Sequence, residues 1–168
     1  MTAPTASPET RTGGCLCGAV SYTVAGPVRD SYACSCTHCS RVAGAPTVWW
    51  VAFDRAALSW SGEPAWFASW PTLRRAFCSA CGSSLASVAD DGATVSVTGS
   101  SLDDRTGSDL APYGHSFRDQ APVWMSVALV PEPQLRRRRP TSGNGLAAEL
   151  SRAGPPRSRP RPRRAGCW

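Results

Sequence analysis

Seven cysteines between positions 15 and 81, spaced C-x-C, C-x-C-x-x-C and C-x-x-C, constrain this chain more than any other feature. They are Cys15 and Cys17, then Cys34, Cys36 and Cys39, then Cys78 and Cys81. An eighth, Cys167, stands alone near the end. Thiols clustered in this way serve either a disulfide framework or a metal site. The C-x-C pairs are poorly placed to bridge each other, because their Cβ atoms point apart along an extended chain. The opening MTAPTASPETRTGG has no basic n-region and no apolar h-region, and no stretch of eighteen apolar residues follows. Both points predict a soluble cytoplasmic protein, where reduced thiols are metal ligands rather than bridges.

Seven ligands divide into four and three. A structural zinc takes four protein ligands, whereas a catalytic zinc takes three and keeps one position open. Cys78-Ser-Ala-Cys81-Gly82 has the form of a zinc knuckle, with Gly82 free to take the left-handed turn that aims backbone N–H groups at sulfur. Cys15 and Cys17, followed by Gly18, form the matching pair. Together the pairs can close a site of four cysteines and staple the domain across the intervening chain. Cys34, Cys36 and Cys39 are left to share one side of a second ion, with the fourth corner facing away from their loop. A soft, anionic ligand such as a substrate thiol suits that corner. The competing reading is a second closed site completed by His38 or His115. His38 lies within the ligand loop, where its side chain is expected to point outward; His115 is a ligand, a proton shuttle or a packing histidine. Iron in place of zinc is chemically allowed. Arg41, two residues after Cys39, is a candidate to neutralise thiolate charge or bind a substrate carboxylate, against the plainer reading of a solvated arginine. Of Arg74 and Arg75, strand alternation expects one to face solvent.

The rest of the pattern is mainly β. Short apolar runs at 19–24 (AVSYTV), 47–53 (TVWWVAF), 66–70, 73–77, 83–88, 94–98 (TVSVT) and 123–130 (VWMSVALV) are predicted strands. Gly26-Pro27 ends the first of them, and Asp90-Asp91-Gly92 is a predicted hairpin turn. Trp49, Trp50, Trp60, Trp66, Trp70 and Trp124 are expected mostly in the core, with some beside the metal. Three segments follow: a disordered tail over 1–12, one zinc-binding domain over 13–133, and a disordered Arg/Pro-rich tail over 134–168, in which only 146–152 has the pattern of a short helix. The charge is split accordingly. Residues 1–130 hold eight arginines against ten acids, net −2, while 131–168 hold ten arginines against two acids, net +8, which accounts for the overall +6. A domain that grips nucleic acid carries its charge on the folded part, so nucleic acid is not the expected partner.

GGCLCGAVSY at 13–22, CSCTHCSRVAGAP at 34–46 and FCSACGSSL at 77–85 together resemble the glutathione-dependent formaldehyde-activating enzyme family, which includes centromere protein V. SLDD at 101–104, HSF at 115–117 and APVW at 121–124 are similar to that family's later pattern. The resemblance implies a single-domain β-tent of short antiparallel strands with two zinc ions per chain. In it, Cys15, Cys17, Cys78 and Cys81 hold the structural ion, and Cys34, Cys36 and Cys39 the catalytic one. It further implies a carbon–sulfur lyase chemistry in which glutathione, or a similar thiol, adds to or leaves a small aldehyde such as formaldehyde. The Arg/Pro tail matches nothing in the family, and no motif reads as a glutathione pocket. The alternative is a non-catalytic zinc module for protein or nucleic acid, with the arginine tail as an electrostatic arm.

Overall fold

A computed structural model of the chain describes residues 9–131. The arginine-rich tail, its short predicted helix and Cys167 lie outside the described residues. The strands are β1 (Thr10–Gly14), β2 (Ser21–Ala25), β3 (Asp30–Cys34), β4 (Val48–Asp54), β5 (Leu58–Ser61), β6 (Ala65–Trp70), β7 (Leu73–Phe77), β8 (Ser84–Ala89), β9 (Thr94–Thr98) and β10 (Gly114–Ser116). One helix, α1 (Thr37–Ala43), sits between β3 and β4, and no described helix is long and apolar enough to cross a membrane. The domain is mainly β, as its alternating apolar runs imply.

Two sheets form. The smaller has the order β1-β2-β5, and the larger has the order β10-β3-β4-β9-β8-β7-β6. Neighbours pair antiparallel, except β10, which lies parallel to β3. The predicted turn after β8 is present, with Gly92 N–H bonded to the Ala89 carbonyl at 3.1 Å. Gly26 ends β2 at a φ of +94°, a conformation that costs glycine nothing.

The period-2 alternation of strands gives the large sheet two different faces. One face carries Val51 and Phe53 of β4, Ala76 of β7, Leu85 of β8, and Val95 and Val97 of β9. With Tyr22 and Val24 of β2 these make the main core. Each large aliphatic or aromatic side chain buried there contributes about 1.5–3 kcal/mol. The other face carries Tyr32 and Cys34 of β3, and Val48 and Trp50 of β4. It forms a smaller cluster around Cys34, Cys36 and Cys39. One sheet thus separates the two cysteine groups: Cys78, with Cys15 and Cys81 beside it, belongs to the main core, and the C-x-C-x-x-C set to the opposite face.

Two expectations are corrected. The first strand starts at Thr10, inside the segment read as a disordered tail. A short Thr/Arg/Gly stretch has no apolar signature, but Arg11 is 8% exposed because Glu9 and Asp109 each pair with it at 2.9 Å. The run at 123–130 is not a strand. Pro122 opens a turn, its carbonyl accepting from Met125 N–H at 2.9 Å, and Val123 and Trp124 are left exposed. Strand propensity alone makes no strand where the segment pairs with no neighbouring strand.

Candidate metal centres

The four thiols of Cys15, Cys17, Cys78 and Cys81 converge, all four Sγ atoms lying within 4.8 Å of one another. Turns at both ends bring this about. Cys15 N–H bonds the Val20 carbonyl at 2.9 Å, and Gly18 N–H returns to the Cys15 carbonyl at 3.2 Å. Across the site, Gly82 N–H bonds the Cys78 carbonyl at 2.8 Å. Gly18 and Gly82 have φ of +77° and +75°, so each pair of cysteines is closed by a left-handed glycine, as the knuckle reading requires. Val20 N–H points at Cys15 Sγ at 3.3 Å. Bonds from the Ser83 side chain and backbone draw the Cys81 pKa down to about 5.

Sulfur separations test what this set can hold. Sγ of Cys17 stands 3.6 Å from that of Cys15 and 3.7 Å from that of Cys78. A disulfide requires about 2.05 Å. Four sulfurs at about 2.3 Å from a tetrahedral zinc are about 3.8 Å apart. The donor set therefore fits zinc and not a bridge, and the same four residues were expected from spacing alone.

The second set is Cys34, Cys36 and Cys39, all buried, with Sγ atoms again within 4.8 Å of one another. Cys34 ends β3, where it is level with Val48 of β4. Cys36 is the N-cap of α1, and its Sγ accepts from Cys39 N–H at 3.4 Å. A capping thiol followed by only seven helical residues and a left-handed Gly44 is a helix too short to register as an apolar periodicity. Among the described residues no His, Asp or Glu joins this set.

The three sulfurs differ electrostatically. Hydrogen bonds from the Cys34 and Cys36 thiols, and then the charge of Arg75, hold the Cys39 pKa down at about 2. Cys34 is pushed far up, because it shares those bonds with Cys36 and Cys39 and is buried. Arg75, rather than Arg41, is the guanidinium at the site. Its Nη2 lies 3.4 Å from Cys39 Sγ, while Arg41 is exposed on the last turn of α1. There Arg41 suits the negative end of the helix dipole. Arg74 and Arg75 do alternate as expected: Arg74 faces solvent and pairs with Asp90 at 2.7 Å.

Neither histidine joins the thiols. His38 stacks edge-on against Trp70, with ring centroids 5.4 Å apart. His115 Nε2 bonds Ser35 Oγ at 2.8 Å. The register of β10 sets His115 level with Ala33, on the face of β3 opposite Cys34. Burial, then the nearby charge of Arg118, lowers its pKa from the usual value. The histidine thus braces the thiol loop from behind. Ser116 adds to that brace by accepting Ser35 N–H at 3.0 Å, and Gln120 Oε1 accepts Thr37 N–H at 3.1 Å.

Phe117 is a site residue that sequence reading missed. Its φ of +56° is the one left-handed non-glycine backbone among the described residues. Alternation after Ser116 turns the next side chain away from Cys34; the left-handed turn accompanies its return, and Phe117 packs against the thiol cluster. Such a backbone costs on the order of 1–3 kcal/mol and persists where its surroundings hold it. Trp50 is fully buried at the same cluster, whereas Trp66 and Trp124 are exposed rather than core.

A family model described as glutathione-dependent formaldehyde-activating enzyme matches residues 10–120. Among solved structures, a protein of Rhodobacter sphaeroides is similar at 20% identity and a TM-score of 0.48, over 62% of this chain and 98% of that one. No curated protein matches the chain.

Proposed function

Because the chain belongs to the glutathione-dependent formaldehyde-activating enzyme family over residues 10–120, we propose that it is a zinc-dependent carbon–sulfur lyase-type enzyme joining a small thiol to a small aldehyde. Glutathione and formaldehyde are the first pair to test. One observation carries the reading: the chain forms one set of four convergent thiols and a separate set of three, and no fourth His, Cys, Asp or Glu completes the smaller set among the described residues.

Cys15, Cys17, Cys78 and Cys81 hold the structural ion, and Cys34, Cys36 and Cys39 hold the second. Zinc bound by three thiolates supplies a Lewis-acidic fourth position that keeps a thiol ionised near neutral pH. The chain's own residues do the remainder. α1 and the end of β3 fix the three sulfurs on one side, so the fourth direction is left to a ligand. Phe117 and Trp50 pack an apolar wall against the cluster, which limits water around a bound sulfur. His115 and Ser35 keep the loop in place from behind. In the synthetic direction the new bond joins thiol sulfur to aldehyde carbon. The thiol proton leaves to solvent, and the former carbonyl oxygen takes a proton back as a hydroxyl. The reverse reaction breaks the same bond.

Exchange NMR on mixtures of glutathione and formaldehyde tests this. The zinc-loaded chain should accelerate formation of the S-hydroxymethyl adduct, and Cys36→Ser should abolish the acceleration. Equal rates with and without the protein, for glutathione and for other small thiols alike, would refute it.

A further inference from the structure

Arg75 is 4% exposed and pairs with no carboxylate among the described residues. Its Nε donates to Ser69 Oγ at 2.9 Å, its Nη2 to Cys39 Sγ at 3.4 Å, and its guanidinium lies 5.4 Å from the centre of the Trp50 ring. The ion pairs among the described residues belong to Arg11, Arg29 and Arg74, each with an acid. A buried cation is tolerated only when something nearby carries the opposite charge. The sulfur of Cys39 is the group in place to do so.

The two cysteine sets differ here in a way that their spacing does not reveal. The four-thiol set lies near the surface, with Cys17 exposed and Cys15 and Cys81 half-buried, so water shares its negative charge. Cys34, Cys36 and Cys39 are 5–7% exposed and have no such help. Three thiolates around a divalent ion leave one negative charge in that buried place, and a thiolate as fourth ligand would leave two. Arg75 cancels one of them.

We propose that Arg75 is a positioning residue of the three-thiol site, the buried counter-charge that lets Cys34, Cys36 and Cys39 hold a divalent ion and accept an anionic thiolate as fourth ligand. This rests on the proposed function, since it concerns the same open corner. Ser69 and Trp50 hold the guanidinium beside the sulfur. Arg75 takes its inward place from strand alternation, which sends Arg74 to solvent and Arg75 to the face that carries the thiols.

Cobalt(II) titration of the full chain tests it, followed by thiolate-to-cobalt charge-transfer absorption, with 2-mercaptoethanol as the added thiol. Arg75→Gln keeps a hydrogen-bond donor but no charge. It should weaken the second cobalt by about 10–100-fold, the usual range for residues that support metal ligands, and lose the band that 2-mercaptoethanol adds. The first cobalt should be unchanged. Arg75→Lys should keep the second cobalt within about tenfold and retain the band. Arg75→Gln equal to wild type, or Gln and Lys variants equally impaired, would overturn the proposal. If Arg75→Gln fails to fold, the lysine variant decides: a retained second cobalt supports the counter-charge, and loss as complete as in Cys39→Ser overturns it. A wild-type chain that binds one cobalt in all would instead defeat the two-site reading itself, a failure distinct from any difference among the variants.

Discussion

Cys17→Ser separates ligation from packing, because Cys17 is exposed whereas Cys78 is part of the main core. The two residues are 61 positions apart with sulfurs 3.7 Å apart, so an ion between them closes nearly half of the described chain into a loop. Fixing a loop of that length removes about 4 kcal/mol of unfolded-state entropy, by the chain-entropy relation for cross-links. Unfolding entropy near 2.1 cal/mol/K per residue gives roughly 0.26 kcal/mol/K for residues 9–131, so forfeiting the staple lowers Tm by roughly 16 °C. The three-thiol set spans only Cys34 to Cys39, and its closure term is smaller by about 2 kcal/mol. Thermal denaturation followed by circular dichroism, at matched protein and free zinc concentrations, reads both. Cys17→Ser should show a large fall in Tm, and Cys36→Ser about half that or less. Equal falls, or the larger fall in Cys36→Ser, would refute the assignment of one set to the scaffold and the other to chemistry.

Cys36→Ser should stay soluble and lose one zinc of two by elemental analysis, with adduct formation reduced to the uncatalysed rate; Cys78→Ser should instead lower the yield of folded protein. Burial raises the Tyr22 pKa to about 12, against 10 in the unfolded chain. The neutral phenol is the form that the core holds. Its contribution is therefore complete below pH 10 and is lost as pH rises from there through 12. Tyr22→Phe should show a shallower loss of stability above pH 10 in denaturant titrations. An identical alkaline limb in both proteins would show that Tyr22 does not govern it. Leu85→Ala, at a side chain with no exposure, should cost about 2–5 kcal/mol in the same titrations.

Most of the metal centre was legible in the sequence because cysteine spacing acts locally. A C-x-C or a C-x-x-C followed by glycine sets its own turn, and the two elements meet where the sheets bring them. β7 and β9 have the bounds that the sequence pattern predicts, 73–77 and 94–98. β3 and β10 are not predicted by it, since DSYAC and GHS have little apolar character and owe their form to pairing with β4 and with each other. Arg41 is two residues from Cys39 in sequence yet is exposed on α1. The residue that reaches the Cys39 sulfur is 36 positions from it, and only the place of β7 within the large sheet shows it. Phe117 lies in the HSF stretch that resembles the family pattern, but its left-handed backbone and its packing on the thiols have no signature in the residues themselves.

The measurement that bears most directly on the central claim is zinc content per chain, followed by zinc K-edge absorption with and without glutathione. Two zincs are predicted. The average sulfur coordination should rise when glutathione is added, as the three-thiolate ion gains a fourth sulfur and the four-thiolate ion does not change. Two zincs already fully sulfur-coordinated and indifferent to glutathione, or a single zinc per chain, would contradict the account.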